Sequence, residues 1–250
     1  MSDLALRPRS ATELVDAAFQ LYRREPLQFI IALGVIYIPW MVLVGALGLT
    51  DPNTPVTPAN SVIRILGGVL VYTLSAGVST VLANDLYFDR SLDLGRSFRK
   101  VLASFVPLAL VMFVAGFVTI VGFMFLVVPG FYFLAHFFAV KQAVLLEGAG
   151  TAGALGRSAG LSKGYKKHIL VTLFILYGLY IAIWAGVSMF TRVIPSLLVQ
   201  TTISTIVTTI VYPLFGITET LLYYDIRIRK EGFDIEYLAS GALEKDTVAT

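Results

Sequence analysis

The chain has 250 residues, 57% of them hydrophobic and only 14% charged, with 19 Lys and Arg against 16 Asp and Glu. Soluble domains carry roughly 25% charged residues, so a water-solvated surface is excluded, and the mean hydropathy of +0.81 makes a bilayer the natural solvent. With no cysteine and two histidines, His136 and His168, disulfides, thiol nucleophiles, thiolate metal sites and His-rich metal clusters are excluded as well.

The first element is "SATELVDAAFQLYRREP". Ser10 and Glu13 have capping-box spacing. Leu14, Val15, Ala18, Leu21 and Tyr22 recur on one helical face, with Glu13, Asp16, Gln20 and Arg23 on the other. Such a helix lies in a membrane interface. Charge-free runs follow at 26–50, 65–84, 101–140, 169–191 and 193–218. A crossing needs about 20 apolar residues. Four runs are single crossings, and the 101–140 run is two, broken either at Thr119–Gly122 or at "VVPGF". The expectation is an all-α integral membrane fold with six transmembrane helices, near 27–49, 62–86, 101–122, 125–146, 169–191 and 197–224. These form one membrane domain, 1–238, before a short polar tail, 239–250. The 26-residue polar lead is too long for a cleaved signal peptide, and the unbroken apolar runs do not alternate as barrel strands do.

Seventeen of the 19 Lys and Arg lie on one side of this layout, leaving Arg64 and Arg192 on the other. Positive loops stay cytoplasmic, so both termini are expected there and "TDPNTPVTPAN" outside. This bias accounts for the pI of about 9.1 without nucleic acid. Two further cytoplasmic segments read as interfacial amphipathic helices, "SLDLGRSFRKVLASF" and "TAGALGRSAGLSKGYKKHI". Both contain "LGRS", at Leu94–Ser97 and Leu155–Ser158, just before an inward-to-outward crossing. The chain therefore reads as three units, each an interfacial helix followed by a helical hairpin. Ser75, Ser79 and Ala83 form one small-residue ridge and Gly178, Ala182 and Gly186 another, for packing within the bundle or between copies. Pro39, Pro107 and Pro213 are positioned to kink spans.

Ionisable groups at membrane depth are costly and are functional candidates. The deepest are His136, Lys141 and Glu219. Lys141 and Glu219 can lie at similar depth and pair, as a proton- or ion-linked site or a structural ion pair; the alternative is Lys141 snorkelling to the interface. Asp85, at the end of the second span, is the alternative partner for Lys141. Lys141 is placed about a turn and a half nearer the cytoplasm than His136. Thr201, Thr205 and Thr208 share a helical face, lining a polar path or bonding their own helix. Arg96, Arg157, Lys163, Lys166 and Lys167 are the candidates for lipid headgroups. No soluble-enzyme motif and no cofactor site is recognised.

The last apolar run ends in "TLLYYDIRIRKEGFDIEYL", with seven charged residues. Tyr223 and Tyr224 suit an interfacial aromatic belt. Asp225 with Arg229, and Arg227 with Glu231, have helical pairing spacing, and Gly232 suits a helix stop. On this reading the stretch is where a helix leaves the membrane. "LLYYDIRIRKEGFDIE" also resembles the closing signature of a group of six-span bacterial and archaeal proteins, the membrane domain of glycerophosphoryl diester phosphodiesterase. "ELVDAAFQLYRRE", "VPGFYFLAHFFAVKQAVLLE" and "ALGRSAGLSKG" are similar too, so the likeness covers most of residues 10–238. The resemblance implies the fold and a bacterial or archaeal cytoplasmic membrane. No catalytic barrel follows by Thr250, so it does not carry over phosphodiesterase activity. The expected function is a non-enzymatic scaffold, accessory subunit or lipid-interacting module, with membrane lipids or a membrane complex as partners and oligomerisation open. The alternative is a small-solute transporter or channel using Glu219 and Lys141.

Overall fold

The structure, a computed structural model, describes residues 7–49, 54–55 and 57–235. The 239–250 tail and the tip of the 50–60 loop lie outside the described residues. Within them the chain is helical, with no strand. The helices are α1 (Ala11–Arg24), α2 (Pro26–Ala46), α3 (Pro58–Tyr87), α4 (Leu94–Ala103), α5 (Phe105–Phe125), α6 (Val127–His136), α7 (Val140–Glu147), α8 (Thr151–Ser162), α9 (Lys166–Thr191), α10 (Leu197–Val211) and α11 (Pro213–Glu231). Six stretches are long and apolar enough to cross a membrane: α2, α3, α5, α6–α7, α9 and α10–α11. Their outward faces carry bare apolar side chains such as Phe113, Phe117 and Ile181. Only a lipid solvent tolerates such a surface at this density.

Local chemistry sets the helix ends. Ser10 Oγ accepts from Glu13 N while the Glu13 carboxylate accepts from Ser10 N, completing the capping box. Thr57 caps α3, Asp93 caps α4 and Ser196 caps α10. Pro26 sits at the start of α2, where its missing N–H costs nothing. The 101–140 run turns at Leu126, whose backbone is extended. α5 passes through Thr119–Gly122 unbroken, so the turn adjoins "VVPGF". Pro129 then falls in the first turn of α6, where it breaks no helical hydrogen bond. A Cβ on Gly122 would meet the Gly130 backbone at 3.1 Å, which explains how the hairpin closes so tightly.

Three expectations change. The apolar face of α1 does not meet lipid, because Leu14, Ala18 and Leu21 are fully buried against α9 and α11. The fourth span is interrupted at Phe137–Ala139, between α6 and α7. Ser158 Oγ spans the break, accepting from Ala139 N (3.1 Å) and donating to the His136 carbonyl (2.8 Å). The rise per residue that set the relative depth of His136 and Lys141 therefore does not hold across it. Finally, α11 is the centre of the molecule rather than an exit. Every residue from Pro213 to Ile226 is buried except Glu219.

The two small-residue ridges behave differently. Ser79 meets Gly216 so closely that a Cβ there would lie 2.3 Å from the serine Cβ, which brings α3 and α11 into backbone contact. Among the described residues the α9 ridge has no packing partner: a Cβ on Gly178 or Gly186 would find no atom within 4 Å.

Candidate functional site

At one end of the bundle, charged and polar groups from α3, α7, α8 and α9 and from the N-terminal segment converge on α11. The Asp225 side chain is 2% exposed. It accepts from Arg9 N (2.6 Å) and from Arg229 Nε (2.8 Å), and lies 3.0 Å from His168 Nε2. Arg229 also donates to the Arg9 carbonyl, so the N-terminal segment is tied to α11 from two sides. One turn on, Arg157 binds Glu147 (2.8 Å to Oε2) and Glu231, while Arg227 Nε donates to Glu231 Oε2 (2.9 Å). The Glu231 hydrogen bond, and then the Glu147 one, push the Arg157 guanidinium well above its ordinary value. Tyr223 donates to Glu147 and Tyr224 to Asn84, each at 2.5 Å. Both rings are buried, at 0% and 4% exposure, so they are not a lipid-facing belt. The α11 environment recruits their hydroxyls into the network instead.

The two LGRS copies play matching parts. Arg96 reaches back to Asp85 at the end of α3 (2.7 Å), and Arg157 reaches back to Glu147 at the end of α7. Each copy thus clamps its own helix, α4 or α8, to the span before it. This disposes of Asp85 as a partner for Lys141. It also uses two of the headgroup candidates, Arg96 and Arg157, internally. Lys166 lies 3.3 Å from His136 Nδ1 and donates to Ser162 Oγ. His136 stacks on Tyr132, and Lys166 sits 4.5 Å from the same ring. Lys163 and Lys167 are exposed.

Deeper in the bundle lies a different arrangement. Lys141, from the first turn of α7, pairs with Glu219 of α11. Both are mostly buried, at 11% and 15% exposure, and together they form the shared wall of two cavities. One, of about 260 Å³, is largely apolar, with Met112, Ala115, Leu134 and Phe138 among its lining. The other, of about 330 Å³, is bounded by Tyr37, Tyr72, Tyr177, Tyr180, Tyr212 and Thr208. Tyr72 and Tyr177 belong to both. Tyr212, at the α10–α11 joint beside Pro213, meets Tyr37 and Tyr72 edge-on with centroids 6.2 and 6.4 Å away. Tyr180 meets Phe215 at 5.1 Å. Of the threonine face, Thr208 bonds its own helix, its Oγ donating to the Ser204 carbonyl; the neighbouring Thr209 Oγ does the same to the Thr205 carbonyl.

The tyrosines are the residues that charge-based sequence reasoning missed. Tyr37, Tyr72 and Tyr177 lie roughly 16 to 22 Å along their helices from the ends carrying the basic segments. Membrane tyrosines favour the headgroup level, so phenols in mid-span are the signal that was there to find. Among the described residues, no group of three or more His, Cys, Asp and Glu is placed to hold a metal ion. The chain matches no protein-family model, no curated protein and no solved structure.

Proposed function

We propose that the protein is a non-enzymatic, multi-pass membrane protein that binds a small solute between its spans and passes it across the bilayer. The observation that carries this reading is the mostly buried Lys141–Glu219 pair, which lines two adjoining cavities between the spans. A bridge needed only for cohesion has no reason to line open volume. Glu219 is also the single gap in the buried run of α11. The 17-to-2 distribution of Lys and Arg supports placing both termini in the cytoplasm. The resemblance to the membrane-domain group supports a bacterial or archaeal cytoplasmic membrane. The test is solute uptake into proteoliposomes across a broad panel. Uptake that Glu219→Gln reduces is the expected result; no uptake of any solute would sink the proposal.

A scaffold or accessory-subunit role keeps one specific support, the α9 ridge Gly178, Ala182 and Gly186, which has no packing partner among the described residues. Close helix approach across such a ridge is how membrane helices associate. Native mass spectrometry with retained lipid tests it: a stoichiometric partner protein supports this second reading, and a chain that emerges alone removes it.

A further inference from the structure

The ligand class of the Lys141–Glu219 site follows from its charge balance, given the solute-binding role proposed above. We infer that the site takes a zwitterion: a small molecule or headgroup carrying one quaternary or primary ammonium and one carboxylate or phosphate.

The site is net neutral, one ammonium facing one carboxylate. A ligand bearing a single positive charge that engaged Glu219 would strip Lys141 of its partner. A ligand bearing a single negative charge would do the same to Glu219. Either leaves an uncompensated charge in a low-dielectric interior, which is strongly unfavourable. A ligand with both charges inserts between the partners and satisfies each. No charge is then left unpaired in either the empty or the occupied state.

The walls fit the two halves of such a molecule. On one side stand five tyrosines, whose ring faces attract an ammonium. The hydroxyls of Tyr72, Tyr177, Tyr180 and Tyr212 make no hydrogen bond to a described residue and are available as donors or acceptors. On the other side the cavity is mainly aliphatic and aromatic and suits an alkyl portion. The two volumes, about 330 and 260 Å³, are of the order of ligand pockets. The anion meets Lys141 where the cavities join. The same chemistry is presented by a zwitterionic lipid headgroup and by a free amphipathic zwitterion.

The test uses the full chain in nanodiscs of phosphatidylglycerol, which contain no zwitterionic lipid. Binding of hexylphosphocholine, hexyltrimethylammonium and hexyl methyl phosphate, a singly charged phosphodiester, is measured by calorimetry below micelle formation. The expected result is a preference of at least about tenfold for the zwitterion over both single-charge analogues. Equal or weaker zwitterion binding overturns the inference. If a single-charge analogue binds and is transported, the solute-binding proposal survives while the zwitterion assignment falls; if nothing binds, both fall. The variant Lys141→Met/Glu219→Leu, which removes both charges together, is expected to lose the preference. A folded double variant that still prefers the zwitterion also overturns the inference. Phosphatidylcholine doped into the discs distinguishes the source. Competition with hexylphosphocholine points to a lipid headgroup, and binding undiminished by the lipid points to a free solute.

Discussion

The two charged regions of this protein differ in how completely they are satisfied. In the network around the end of α11 every carboxylate has several donors: Asp225 is held by Arg9 N, Arg229 and His168, and Glu231 by Arg157 and Arg227. The Lys141–Glu219 pair has one bond and two cavities. Saturation and burial mark a staple, since a fully paired group has no valence left for a ligand. A pair facing open volume keeps that valence. The charge-dense closing stretch is architecture, and the sparsely charged middle of the bundle holds the proposed ligand site.

Removing a staple should therefore cost stability first. Asp225→Ala leaves Arg229 and the Arg9 amide without their acceptor in a buried setting, and is expected to destabilise by about 3–5 kcal/mol. Thermal unfolding of the purified protein in a mild detergent reads this. A melting temperature unchanged from wild type would mean that the network is ornamental, and the comparison drawn above would collapse.

The intramembrane pair should respond differently to single and double changes. Glu219→Gln alone removes a charged partner from Lys141 and should cost roughly 2–3 kcal/mol, less than at Asp225 because the Lys141 and Glu219 side chains keep 11% and 15% exposure. Lys141→Met/Glu219→Leu restores a uniform apolar wall and should return stability to within about 1 kcal/mol of wild type, as replaced buried pairs often do. Flux should be lost in both. Stability that falls further in the double variant would show the pair to be a staple as well.

Ser158→Ala probes the joint between these regions. It deletes the hydroxyl that accepts from Ala139 N and donates to the His136 carbonyl, across the break just before Lys141. A buried N–H left unmet costs about 1–2 kcal/mol. If the break positions Lys141, zwitterion binding should weaken along with stability; equal loss of stability with unchanged binding would uncouple the two.

How much of this was readable in advance follows from what each feature depends on. The six crossings depend on composition over about 20 residues, which is local and visible. The Lys141–Glu219 pair depends on matching depth in two spans, and simple counting found it. The LGRS repeat was visible as a repeat, but its role was not, because the carboxylates it clamps lie ten or eleven residues upstream. The break at Phe137–Ala139 has no proline or glycine to announce it. It exists because Ser158, from another helix, satisfies the freed backbone groups. The centrality of α11 was hidden for a related reason. Charges after an apolar run look the same whether they meet water or one another, and only packing decides. Tyr223 and Tyr224 were misplaced by that ambiguity, and the mid-span tyrosines were passed over because they carry no charge.

The smallest expected effect lies at the far edge of the network, in the cap of α1. Glu13 accepts from Arg7 Nη2 at 2.8 Å and from Ser10 N at 2.8 Å. The Arg7 hydrogen bond foremost, then those from Ser10, lower its carboxyl from 4.5 to about 2. A carboxylate whose folded pKa is depressed contributes above its unfolded value, and loses that contribution as pH falls through the folded one. The cap should therefore be intact at neutral pH and loosen between about pH 4.5 and pH 2. Because the Glu13 side chain is 44% exposed, solvent screens most of this, and the effect belongs to helix fraying rather than to global stability. Ser10→Ala removes the reciprocal half of the box and should cost about 1 kcal/mol at any pH above that window. Amide exchange in the first turn of α1 reads both: faster exchange at pH 3 than the intrinsic rate predicts in wild type, and faster exchange than wild type at neutral pH in the variant, with the pH response kept because Arg7 and the residue 10 amide still hold Glu13. Since the buried face of α1 is held by Leu14 and Leu21 against α9 and α11, a global melting temperature that tracked Glu13 would mean the cap, and not this apolar face, anchors the N-terminal segment.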